Sequence, residues 1–271
     1  MVVLNNNLFL NGNMTYMDSS PKPIVLVTVS QKWNSIIEQN LQTCINNDMS
    51  LIWIHHQKYN GSESVPNFVE ISRHLKILEV TSKANYVEAF LFKALEFINE
   101  SNWCFLVASD ELISDQLLKE IFYQLNNFND KYVYAITRLW IKKINGYYSS
   151  SKIAVSSESD HDFQYRIFKT EHQSENTKIH SPGFVLKKTK LVITNNSLLH
   201  LAWEVENIWD RIEKIKRYDS ISPNAGRGKL RYYLPEIFSD AEHDWQKLDS
   251  FDQQLLDSWQ QINFRQNLTI Q

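Results

Sequence analysis

The chain has 271 residues with 28 Lys and Arg against 31 Asp and Glu, a formal charge of −3, so no global field favours nucleic acid or an anionic membrane. That length allows one large α/β domain or two smaller ones, able to bury roughly three quarters of the unfolded surface. Only Cys44 and Cys104 occur, both in apolar surroundings, and no run reaches the roughly 18 apolar residues of a spanning helix, so a disulfide framework, a cysteine metal site and a transmembrane segment are not expected and a soluble, cytoplasmic protein is.

Residues 1–22, with Asn5-Asn6-Asn7 and the Pro21-Lys22-Pro23 punctuation, read as a flexible N-terminal arm and not as a secretory signal. The domain proper runs over 23–220. Ile24–Val29 is a strand, and residues 32–46 have helical spacing through Trp33, Ile36, Ile37, Leu41 and Cys44. Leu51–Ile54 is the next strand; a loop with Gly61 and Pro66 follows, then a strand at Lys76–Val80. The spacing of Val87, Phe90, Leu91, Ala94, Leu95 and Ile98 predicts a helix over 84–100, followed by a buried strand at Trp103–Val107. Short buried strands alternating with helices imply a mostly parallel sheet covered on both faces.

Beyond Val107 the apolar run breaks into Ala108-Ser109-Asp110-Glu111. In open α/β sheets ligands bind outside the carboxyl ends of the strands, and carboxylate oxygens suit magnesium or manganese holding phosphates, so Asp110 is a candidate metal ligand. The plain alternative is that Ser109 or Asp110 caps the helix beginning near Ser114.

Residues 114–129 form an amphipathic helix and Lys131–Ile144 a long β segment. Residues 145–161 are rich in Gly, Ser and charge, and Phe163–Phe168 is a further strand, so this half adds mixed or antiparallel strands. Leu198 to Tyr218 reads as a helix, with an acidic to basic progression that suits the dipole. Residues 221–271 form a C-terminal extension packing on the same domain, with one helix or a pair between Trp245 and Phe264.

The chain resembles glycosyltransferase family 2, whose members have the GT-A nucleotide-sugar-binding fold and an apolar strand ending in Asp-Ala-Asp-Glu. The resemblance rests on Ala108-Ser109-Asp110-Glu111, on Tyr165-Arg166-Ile167-Phe168-Lys169 followed by Ile179-His180, and on Leu199-His200-Leu201-Ala202-Trp203 with Arg211, Lys214 and Tyr218. It spans roughly residues 24–220 and departs from the family pattern in two places. Ala108 stands where the motif has its first aspartate, and His55-His56-Gln57-Lys58 replaces the acidic residue that often reads the base. The implied fold is α/β and GT-A-like, a mixed, mostly parallel sheet with helices on both faces and a helical C-terminal extension. The implied activity is transfer of a sugar from a nucleoside diphosphate donor, a UDP or GDP sugar, to a saccharide or lipid-linked acceptor. It implies dependence on Mn²⁺ or Mg²⁺, inversion at the anomeric carbon, polysaccharide or lipopolysaccharide assembly, and peripheral association with the inner face of the membrane.

Within that resemblance Asp110 holds the cation, and either His180 or His200 supplies a second ligand from the C-terminal half. His180 precedes the Ser181-Pro182-Gly183 turn, a mobile flap on this reading, whereas His200 among leucines also reads as a core histidine. Glu111 orients a metal-bound water or contacts the acceptor, or is a solvated first-turn glutamate. Ser109 and Arg166 are donor-binding candidates, the guanidinium fork matching diphosphate oxygens, with a surface salt bridge as the alternative; Arg138 is a candidate of the same kind. Lys83 and Asn85 meet the donor through the following helix N-terminus. Asp160, Asp162, Glu204 and Glu206 are open as the base. His55 and His56 are adjacent on a strand, point to opposite faces and read as structural. Tyr132, Tyr134, Trp140, Tyr147 and Tyr148 form either a sugar platform or cross-strand packing. Two rivals remain: a non-catalytic sugar-nucleotide or glycan-binding relative, kept open by Ala108, and a nucleotidyltransferase, disfavoured because only 6 glycines occur and none forms a phosphate loop near the first strand.

Overall fold

The computed structural model describes residues 2–3, 24–58, 67–82, 86–98, 103–151, 162–172, 174–186, 188–192, 194–237 and 245–268. In chain order the strands are β1 (Val2–Val3), β2 (Ile24–Ser30), β3 (Leu51–Lys58), β4 (Asn67–Ser72), β5 (Leu75–Ser82), β6 (Trp103–Leu106), β7 (Glu111–Leu112), β8 (Val133–Ile144), β9 (Tyr147–Ser151), β10 (Asp162–Phe168), β11 (Thr189–Leu191), β12 (Leu198–His200) and β13 (Gln246–Lys247). The helices are α1 (Ser35–Asn46), α2 (Leu91–Leu95), α3 (Asp115–Leu125), α4 (Ala202–Val205), α5 (Ile208–Ile221), α6 (Leu230–Tyr233) and α7 (Ser250–Leu268).

β2 lies at the centre because nearly every residue in it is apolar and buried, so both its faces must be covered. It pairs in parallel with β3 on one side and β6 on the other. The chain first builds outward through β3 and β5, with β4 antiparallel at the edge, then crosses back over β2 to lay down β6. That reversal makes a topological switch point between β2 and β6, where a crevice opens at the carboxyl ends. Beyond β6 the sheet turns mixed, since β10 runs antiparallel between β6 and the first part of β8. The fold is therefore α/β with a large mixed sheet, parallel through β6, β2, β3 and β5.

Two faces carry two cores. Ile24, Leu26, Leu51 and Phe105 pack under α1 and α3, while Val25, Val27, Ile52 and Leu106 pack with Leu91, Ala94 and Leu95 of α2. The 84–100 helix expected from apolar spacing is much shorter. Among the described residues a 3₁₀ turn at Val87–Ala89 meets α2 through Phe90, whose φ of −133° interrupts helical geometry. The segment 145–151 returns as β9 through an Asn145-Gly146 turn with φ of 51° and 87°, a two-residue hairpin in which both central residues are left-handed.

The largest departure concerns 198–218. In place of one helix, Leu198–His200 is strand β12, inserted parallel to β8 and antiparallel to β7. A fresh helix, α5, starts at Asn207, whose side chain accepts from the backbone N–H groups of Trp209 and Asp210. α7 lies against α1, with Trp259 Nε1 donating to Ser35 Oγ at 3.0 Å and Ser258 Oγ to Gln39 Oε1 at 3.2 Å. Of the N-terminal arm only Val2–Val3 is among the described residues; it pairs with β11.

Asp252, near the start of α7, is 5% exposed, and its Oδ1 has no hydrogen-bond partner among the described residues. Burial, with Asp249 beside it, pushes its carboxyl up to about 6. A folded-state value above the unfolded value of about 3.9 means that the stability contribution is complete below about pH 4 and is lost as pH rises through about 6. Asp252→Asn is expected to stabilise the protein by about 1 kcal/mol at pH 7.5 and by nothing at pH 4, the figure being discounted for partial solvation. Urea denaturation at the two pH values measures the difference.

Candidate functional site

The carboxyl end of β6 leads straight into the site. Val107 N–H still donates to Val27 O at 2.9 Å, and then Ala108–Glu111 closes as a tight turn, with Glu111 N–H donating to Ala108 O at 3.0 Å. The turn is closed a second time from the side chain, since Ala108 N–H donates to Glu111 Oε2 at 2.8 Å. α1 holds the same segment from beneath. Asn34 caps α1 by accepting from Ile37 N–H and donates through Nδ2 to Ser109 O at 3.0 Å. The buried Asn40 donates to Glu111 O at 2.8 Å and accepts from Ile113 N–H at 3.1 Å. The cap of α3 is Ser114, which accepts from Leu117 N–H, so neither Ser109 nor Asp110 is spent on capping.

Asp110 is left facing the crevice. Its backbone carbonyl accepts from Leu201 N–H at 2.7 Å, which locks β12 alongside. Its Oδ2 stands 3.4 Å from His200 Nε2, the carboxylate being 18% exposed and the imidazole 7%. Burial would raise the Asp110 carboxyl, but His200, Lys214 and Arg138 outweigh it and hold the group well below the usual carboxylate range. It is therefore a permanent anion facing an imidazole whose Nδ1 is buried without a partner among the described residues and whose ring sits edge-on to Trp140 at 4.0 Å.

The surrounding cleft encloses about 1100 Å³. Its lining includes the ends of β2 and β6, the start of β10, and α5 with the following segment to Tyr233. Six Lys and Arg side chains line it against four Asp and Glu, so the cleft is locally positive on a chain that is negative overall. Lys214, on α5, donates to Glu206 at 2.8 Å. Burial lowers its ammonium, but Asp110 and Glu206 overcome this and raise it.

The sequence candidates divide sharply. Asp110 and His200 meet, and Ser109 and Arg166 line the same cleft. His180 also lines it but is tied elsewhere: with φ of 64°, it makes a 2.8 Å contact from Nε2 to Ala225 O, while its N–H donates to Glu88 Oε1 at 2.9 Å. Glu111 is not a solvated first-turn residue. It is fully buried, and its Oε1 receives Arg166 Nη2 at 2.7 Å and Arg138 Nη1 at 3.2 Å. Burial would raise its carboxyl, but Arg166 and Arg138 bring it below the ordinary value.

Asp162 begins β10 opposite Arg138 and takes Arg138 Nε at 2.7 Å, Trp140 Nε1 at 2.9 Å and Gln164 Nε2 at 2.6 Å. A carboxylate so engaged is committed to holding β10 against β8. Glu204 accepts from Lys143 N–H at 2.6 Å, at an exposed strand end. Asp160, Lys83 and Asn85 lie outside the described residues. His55 and His56 do face opposite ways, stacking on Trp53 at 4.6 Å and on Phe90 at 4.2 Å. The aromatic residues separate: Tyr134 stacks on Phe128 at 4.0 Å, Tyr148 is buried, Tyr147 is exposed, and Trp140 is the member that lines the cleft.

Sequence reasoning missed Asn34 and Asn40, whose signal was only that polar residues interrupt an apolar helix face. It also missed Glu88, a cleft carboxylate that burial raises above the usual range. No family model matches the chain and no curated protein matches it.

For a divalent cation the donor set fits in part. A carboxylate and an imidazole are donors that suit manganese or magnesium, and among the described residues no third His, Cys, Asp or Glu joins them. Such a pair fits a cation whose remaining ligands come from phosphate oxygens and water. Separately, removing Glu111 strands the Arg166 guanidinium, 14% exposed, and leaves Arg138 with Asp162 alone. Glu111→Ala is expected to cost about 3 kcal/mol by urea denaturation.

Proposed function

We propose that the protein is a glycosyltransferase of the GT-A type, moving a sugar from a nucleoside diphosphate donor to a saccharide or lipid-linked acceptor with inversion. The observation that carries this reading is the meeting of Asp110 with His200 at the switch-point crevice, inside a cleft with an excess of positive charge. Diphosphate departure needs its developing charge neutralised, and a bound cation supplies that. Asp110 and His200 would hold the cation, with Lys214 beside them to meet the same charge.

The chain's own residues account for the other needs. Asn34 and Asn40 fix the backbone on which Asp110 rides, and Trp140 and Tyr233 give the cleft an aromatic lining on which a sugar or base can stack. Glu88 is the carboxylate assigned to take the acceptor proton, because burial raises its affinity for a proton while it still faces the cleft. The family's wider setting, polysaccharide or lipopolysaccharide assembly at the inner face of a membrane, comes with this reading. Among the described residues no helix is long and apolar enough to cross a bilayer.

Ala108 favours a second reading, a non-catalytic relative that binds a sugar nucleotide or glycan without turnover. Calorimetric titration with UDP, GDP and CDP, with and without manganese, separates the two when combined with donor hydrolysis. The expected result is manganese-dependent binding of one nucleotide, lost in Asp110→Asn and in His200→Ala. Glu88→Gln is expected to keep that binding while hydrolysis of the matching donor falls about 10²-fold. Binding without hydrolysis in the wild type would favour the non-catalytic relative, and absence of nucleotide binding would sink the Asp110 assignment.

A further inference from the structure

We propose that His180 is a positioning residue: its backbone amide, held in place by the ties of its own imidazole, fixes the Glu88 carboxylate at the wall of the cleft. The use made of that carboxylate rests on the transferase reading; the tie itself does not.

Glu88 is not fixed by its own element. It sits in the 3₁₀ turn Val87–Ala89, which ends at Phe90 before α2 begins and has no side-chain cap at Tyr86. Short 3₁₀ turns have poorer hydrogen-bond geometry than α-helices, and a glutamate adds a long rotatable side chain. Yet the carboxylate lines the cleft with its Oε1 accepting from His180 N–H at 2.9 Å. The support comes from a part of the chain some ninety residues away.

Residues 174–185 form a tongue. Glu175 bridges Phe184, Asn176 N–H donates to Gly183 O at 3.2 Å, and Val185 N–H donates to Ser174 O at 2.7 Å. Its root is seated on β10 and α2. Phe184 is fully buried with its ring centroid 4.2 Å from that of Phe168, and Gly183, with φ of 84°, lies where a Cβ would fall 2.8 Å from Leu91 Cδ2. Its tip is a turn closed by Ser181 N–H donating to Lys178 O at 3.0 Å, with Ile179 buried and His180 left-handed at φ of 64°.

A left-handed φ is uncommon for a residue with a Cβ, and glycine would adopt it at less cost, so the imidazole at this tip calls for a reason. The ring supplies it. Nε2 stands 2.8 Å from Ala225 O, and because a carbonyl oxygen only accepts, Nε2 carries the proton. The ring also stands edge-on to Tyr218 of α5, at 5.0 Å and 87°. The far side of these ties is itself secured, since Ala225 N–H donates to Ser222 O at 3.0 Å and Gly226 N–H to Asp219 Oδ1 at 2.9 Å. One residue thus links the turn bearing Glu88, through its amide, to the C-terminal wall, through its ring. Burial favours the protonated form of Glu88, whereas hydrogen bonds from backbone N–H groups, that of His180 among them, favour the carboxylate that a proton acceptor needs.

The test is nuclear magnetic resonance of the intact ¹⁵N-labelled chain, following the amide proton of residue 180 with pH. That proton is expected to shift as Glu88 ionises, a response absent from Glu88→Gln, which removes the carboxylate and leaves the imidazole. His180→Gly keeps the left-handed turn without the ring and is expected to lose most of the response. His180→Gln, whose side-chain N–H reaches a similar distance toward Ala225 O, is expected to restore it. With the donor that nucleotide titration selects, His180→Gly is expected to lower kcat for hydrolysis about tenfold at unchanged KM, and His180→Gln to recover it. An amide at residue 180 that does not follow Glu88, a full response in His180→Gly, or an unchanged kcat in that variant overturns the positioning role. A wild-type protein that hydrolyses no donor overturns the transferase reading, while the amide response still decides the tie.

Discussion

Glu111 has no solvent-exposed surface, yet it is ionised and holds three groups at once. Moving a carboxylate out of water costs several kcal/mol unless charge and hydrogen bonds replace its hydration. Here the replacement comes from two guanidinium groups and the Ala108 amide, and each reaches the site from a different part of the chain. Arg138 belongs to β8 and Arg166 to β10, so a single carboxylate ties the β6 turn to two neighbouring strands. Because Glu111 turns inward to do this, Asp110 must turn outward. The adjacent carboxylates that look alike in sequence are given opposite tasks by one turn.

The same logic of charge shapes the rest of the cleft. Arg138 is spent on Asp162 and Glu111, and Arg211 on Glu236 at 2.5 Å and on Tyr233 O at 3.0 Å, so these cations hold walls together. Lys214 donates to Glu206, and its charge also acts on Asp110. Among the described residues, the groups of the cleft left without a hydrogen-bond partner include the far nitrogen of His200 and the Nε of Arg166, and Asp110 has only His200 beside it. Ligand chemistry is read from these because groups such as Arg138 and Arg211 already have partners whose loss would destabilise the protein.

The C-terminal part completes a cleft that the sheet alone would leave open on one side. α5 and the segment after it contribute Lys214, Tyr218, Lys229 and Tyr233, while α7 braces α1 from behind and brings Asn263 to the rim. Trp203 Nε1 donating to Tyr232 O at 2.7 Å fastens this wall to β8 through the packing of Trp203 on Trp140. The region therefore belongs to the site as much as the Ala108–Glu111 turn does.

Local physics was legible wherever a residue's neighbours in sequence are its neighbours in space. The buried strand at Trp103–Val107, the helix of Ser35–Asn46 and the outward Asp110 all follow from apolar runs, periodicity and a run that stops at carboxylates. His55 and His56 on opposite faces follow from strand geometry alone. The tertiary structure decided matters that depend on distant partners. Leu198–His200 has enough apolar spacing to be helical, but two open strand edges at β7 and β8 recruit it as a strand, and only that pairing carries His200 to Asp110. His180 is drawn off by Ala225, and Glu111 is buried by arginines 27 and 55 residues away. Hydrogen-bonding and ion-pair energies depend on distance in space, so sequence order sets the candidates and the long-range pairing of strands selects among them.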